Sequence, residues 1–162
     1  MRSVQRGFTI VEILVVIIVI AILASVTIVS YRGAQDRANY AAAQSDLKNI
    51  NDALVIYKAQ KGSYPSSVGK GSGNYVFQSL HPTQFLTELT SEGFLDKMPI
   101  ARSATNGMPT YVYVSDGVNY KLVRYTNTGS LPSVELTNNP LIDPVRPTSG
   151  WGYWTPAVAN VW

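Results

Sequence analysis

None of the 162 residues is cysteine. That excludes a disulfide framework, a thiolate metal site and a lipid-acceptor cysteine. Any globular part must therefore hold by core packing and by neighbours in an assembly. A single histidine is present, His81. No second ligand lies near it, so it reads as a surface or capping residue. No glycine loop of the phosphate-cradling kind occurs, the acids are scattered, and no serine has a partner base that sequence can point to. The expectation is a protein that is not an enzyme. Charge is sparse as well, at 14% of residues. From residue 62 onward six basic residues face six acidic ones. A neutral segment of that kind offers no basic stripe for a phosphate backbone, so no specific nucleic acid is expected despite a sequence pI near 9.2.

What the chain has in abundance is one apolar run. From Ile13 to Ala24 every residue is apolar. Before it stand Arg2 and Arg6, then Gly7, Phe8, Thr9 and a single acid, Glu12. The stretch from Phe8 to Val29 approaches the ~20 residues needed to cross a bilayer. Basic residues ahead of it place the leader in the cytoplasm and the remainder outside. An ordinary secretory signal carries its small-residue cleavage site after the apolar segment, and no crisp site of that kind stands out. A carboxylate within a membrane helix costs roughly 2.5–3.5 kcal/mol on insertion scales, so an acid in that place is a functional candidate by default.

Gly7-Phe8-Thr9-Ile10-Val11-Glu12 followed by the apolar run resembles the class III signal of type IV prepilins and pseudopilins. The resemblance is strong over about residues 1–50 and looser beyond. It implies that residues 1–7 are a leader cut off by the prepilin peptidase between Gly7 and Phe8, and that Phe8 becomes the methylated N-terminus. Loss of Arg2 and Arg6 would lower the formal charge from +3 to +1. It also implies that Glu12 pairs with the terminal amine of a neighbouring subunit during assembly. Two departures are visible: Val29 stands where many pilins have a proline, and the C-terminal disulfide common in pilins cannot form. Asp116 and Asp143 are the candidates for the calcium site of secretion pseudopilins, but no dense cluster of oxygen ligands accompanies them, so no metal and no cofactor are expected.

Beyond Ser30 the pattern stays helical and becomes amphipathic. Ala43, Leu47, Ile50, Leu54 and Tyr57 recur at spacings of three and four, one helix face. Lys61-Gly62 forms a basic last turn with a glycine stop. The Gly- and Ser-rich stretch 62–79 reads as loop, and 83–95 as a short helix with Phe85, Leu86, Leu89 and Phe94 on its apolar face. Residues 111–125 read as a hairpin turning on Asp116-Gly117. A two-residue turn would set Tyr113 opposite Tyr120 and Tyr111 opposite Leu122, with all four on one face covering the stripe Leu47, Ile50, Leu54 and Tyr57. Val134 to Leu136 is a candidate third strand. The tail holds all three tryptophans, Trp151, Trp154 and Trp162. Its rings either lie back on the head or form an exposed aromatic patch.

The fold class expected is α+β: a helix over about 8–61 packed on a small antiparallel sheet. Its first part, 8–29, is the transmembrane or filament-core segment; 30–61 is the amphipathic part; 62–162 is the head. The function implied by the resemblance is a structural subunit of a type IV pilus, a surface filament for adhesion, motility or DNA uptake. The alternative is a pseudopilin of a type II secretion-like or competence machine. Implied partners are other copies of the chain in a helical filament, the prepilin peptidase, an inner-membrane assembly platform, and the membrane itself before assembly.

Overall fold

The computed structural model describes residues 8–102 and 109–161, with the side chains of 27–30 outside that description. Helix α1 spans Ile10–Lys61 and is followed by β1 (Val76–Phe77), α2 (Thr87–Ser91), β2 (Thr110–Ser115), β3 (Tyr120–Tyr125), α3 (Ser133–Leu136) and β4 (Gly150–Trp154). A 3-10 turn, Pro156–Val158, closes the described chain. The protein divides into two compact units, one ending at Gln35 and one beginning at Asp36.

The first unit is helix with its apolar side chains on the outside: Ile17, Ile20 and Leu23 are each more than half exposed. Water does not tolerate such a surface, and lipid or a bundle of like helices does. The span is long and apolar enough to cross a membrane.

The second unit is α+β, as expected. Ala43, Leu47, Ile50, Ala53 and Leu54 of α1 enter one core with Tyr111, Tyr113, Tyr120, Leu122 and Trp151 of the sheet and with Phe85, Leu86 and Leu89. Tyr57 is half-buried and meets Phe94 with ring centroids 5.1 Å apart. Tyrosine hydroxyls tie sheet to helix: Tyr111 donates to Asp46 at 2.9 Å, and Tyr120 donates to Asn51.

The four strands run antiparallel in the order β1-β2-β3-β4. Opposite Tyr113 sits Leu122, and opposite Tyr111 sits Arg124. This corrects the two-residue turn. The last pair is Ser115 with Tyr120, and the turn holds four residues. Asp116 causes the difference: its carboxylate accepts the backbone N–H of Val118 at 2.8 Å and of Asn119 at 2.7 Å. An Asx turn of this kind substitutes for the backbone turn, and Gly117 takes φ 91° within it. The pairing moves by two residues, an even number, so every side chain keeps its face.

Three further expectations change. The helix of 83–95 shrinks to Thr87–Ser91, because Leu86 ahead of it adopts φ 50°. Val134 to Leu136 is helix α3 rather than a strand. The extra strands are β1, from the supposed loop, and β4, from the aromatic tail. In β4 Trp151 pairs with Arg124 and Tyr153 with Leu122, so both rings face α1. Gly152 lies opposite Val123, where a Cβ would come within 2.1 Å of the Leu122 carbonyl oxygen. The outer edge of β4 is covered: Gly152 donates to Leu141 at 2.8 Å and Asp143 to Gly150 at 3.0 Å. At the other edge β1 is only two residues long.

Candidate functional site

Thr9 and Glu12 form a reciprocal pair at the start of α1. The Glu12 backbone N–H donates to the Thr9 hydroxyl at 3.2 Å, while Glu12 Oε2 accepts the Thr9 N–H at 2.8 Å and the Thr9 hydroxyl at 2.9 Å. This is a capping box, in which two side chains satisfy helix N–H groups that have no partner in the turn before. The carboxylate also stands at the positive end of the peptide dipoles. Phe8, 84% exposed, immediately precedes the pair. Gly7 and the leader lie outside the described residues. Glu12 Oε1 makes no hydrogen bond among the described residues, so the carboxylate keeps acceptor capacity for a cation. Gly33 lies inside α1 with nothing within 4 Å of the place a Cβ would occupy.

In the head, Leu47, Ile50, Leu54, Tyr111, Tyr113, Tyr120 and Leu122 are buried together and Tyr57 lies at their margin. Burial pushes the Tyr111, Tyr113 and Tyr120 phenols well up from their usual value, with the Asp46 carboxylate adding to the effect at Tyr111. Asp116 and Asp143 do not meet. The turn amides of Asn119 and Val118 hold the exposed Asp116 carboxyl below its usual value. Asp143 is wholly buried, with Lys121 Nζ at 2.7 Å and Arg146 Nη1 at 3.3 Å. Among the described residues no three His, Asp or Glu side chains cluster as metal ligands would. His81 donates its backbone N–H to Phe77 at 2.8 Å.

A buried polar triad was not foreseen. Arg124 donates to Glu135 through Nε at 2.7 Å and Nη2 at 3.0 Å, and the Trp151 indole N–H donates to the same carboxylate at 2.8 Å. Arg124 and Glu135 have no exposed side-chain surface. A desolvated pair of this kind is tolerable only when its donors and acceptors are met, as they are here. The triad ties α3 and β4 to β3, and the Trp151 ring meets Tyr40 of α1 edge-on at 5.4 Å. Of the two readings of the tail, the structure takes the first for Trp151, while Trp162 lies outside the described residues.

The prokaryotic N-terminal methylation motif matches residues 2–28. The chain is 33% identical over 99 residues to the type II secretion system core protein G of Escherichia coli (strain K12), covering 59% of this chain and 64% of that one. It is 40% identical over 63 residues to the protein of the same name from Pectobacterium carotovorum subsp. carotovorum, covering 39% of this chain and 40% of that one. With the Pseudomonas aeruginosa protein of that name the identity is 32% over 106 residues, 61% of this chain and 68% of the relative. The chain thus spans less than two thirds of the first relatives and just over two thirds of the third. No solved structure matches it significantly.

Proposed function

The chain belongs to the type IV pilin and pseudopilin family, and from that premise we propose that it is a pseudopilin, a structural and non-catalytic subunit of a type II secretion-like machine. The observation that carries this choice over a surface pilus is the likeness to core protein G, which extends over 106 residues and so well past the N-terminal motif. The ordering of the two sequence readings is thereby reversed: the secretion machine comes first and the surface fibre second.

The prepilin peptidase cuts after Gly7, Phe8 becomes the N-terminus, and the apolar helix holds the subunit in the inner membrane. Thr9 keeps the Glu12 carboxylate at the helix start, one of its oxygens still able to accept. In lipid an unpaired charge is costly. A subunit that docks so that Glu12 meets a neighbour's Phe8 amine neutralises both charges; one out of register strands them. The same pairing therefore supplies attraction and register, and extension of the stack moves the heads outward.

Glu12→Val tests the proposal. Processed subunit should accumulate in the membrane fraction at near-normal level while assembled filament is lost and exported proteins stay inside the cell envelope. Normal export together with normal filament yield from the valine variant overturns the assembly role. Loss of long surface fibres with export intact would return the pilus reading to first place.

A further inference from the structure

The face of the sheet turned away from α1 carries a small cavity of about 170 Å3. Val112, Val114 and Val123 line it from the strands, and Tyr75, Phe77 and Tyr125 supply aromatic surface. Two cations complete the lining, Lys121 and Arg146. Lys121 is 2% exposed; it is held by Asp143 at 2.7 Å and by the Ala159 carbonyl at 3.2 Å. Arg146 lies over the Tyr125 ring at 5.6 Å and gives one N–H to Asp143 Oδ2 at 3.3 Å. Two cations thus share one carboxylate at the margin of an apolar hole.

Size and charge together select the occupant. An apolar protein cavity of about 150 Å3 stays dry and takes up benzene, so this one has room for a single ring of that size. Aliphatic and aromatic walls with a few fixed polar groups are the ordinary make-up of a small-ligand site. Arg146 gives Asp143 a single N–H and is 30% exposed, and guanidinium pairs well with a planar carboxylate. We propose that this cavity is a binding site for a small aromatic carboxylate: the ring rests among the three valines and the tyrosines, and the carboxylate meets Arg146. Nothing in the secretion reading depends on this site.

The test uses the mature full-length chain in detergent micelles, with valine methyl NMR signals as the readout and benzoate as the probe. Benzamide, the neutral counterpart, and acetate, the carboxylate without the ring, are the controls. Benzoate should shift the methyls of Val112, Val114 and Val123 saturably, with benzamide weaker and acetate inert at those positions. Arg146→Gln, at a side chain 30% exposed, should weaken benzoate roughly tenfold or more, the loss of one charge-assisted hydrogen bond, and leave benzamide unchanged. No saturable shift of the three valines overturns the site. Equal binding of benzoate and benzamide, or of benzoate before and after Arg146→Gln, overturns the carboxylate assignment.

Discussion

Three tyrosines set an upper limit on the pH at which the head holds together. Tyr111, Tyr113 and Tyr120 keep neutral phenols in or beside the core, and burial raises all three above the ordinary value of 10.0. The unfolded chain gives up these protons first. Their contribution is therefore complete below pH 10 and is lost as pH climbs beyond it. In alkaline titration the absorbance should account for all ten tyrosines as tyrosinate only once sheet circular dichroism is lost; ionisation of all ten with the sheet intact would contradict the burial of these three. The core residues on α1 were legible in sequence because a spacing of three and four is imposed by one helix face. The Arg124–Glu135–Trp151 triad was not. Its members lie 11 and 16 residues apart from Glu135, and no local period links an arginine on a strand to an acid on a later short helix.

At the scale of elements, the hairpin shows what alternation can and cannot tell. A period of two fixed which side chains of 111–125 face α1, but the register depended on where one aspartate side chain bonds. β4 was hidden for a related reason: Gly-Trp-Gly-Tyr-Trp lacks the β-branched residues that mark a strand, and its glycines look like loop. Their role is clear in three dimensions. A Cβ at Gly152 would also come within 2.7 Å of the Val123 Cα, and backbone cannot swing aside as a flexible side chain can. Gly152→Ala should therefore cost about 3 kcal/mol and detach β4 before the rest of the sheet. Thermal melting and amide exchange at Trp151 and Tyr153 measure this; unchanged protection there would mean that β4 can shift without penalty.

For the molecule as a whole, the division at residues 35 and 36 predicts two kinds of behaviour. The first unit exposes apolar helix, and the second buries its apolar residues in one core. A chain shortened to 36–162 should stay dispersed without detergent and melt cooperatively, while the full chain needs lipid or detergent. Sedimentation and calorimetry compare the two, and aggregation of the shortened chain would show that the core is incomplete without residues 8–35. The borders of the sheet carry a last consequence. Residues 141–143 occupy the hydrogen-bonding rim of β4, and β1 offers a rim of two residues. Bare strand rims are templates for amyloid-type stacking. Among the described residues the head thus offers a rim of only two bare strand residues as a template for cross-β polymerisation, and a chain held in a membrane at high density gains protection from it.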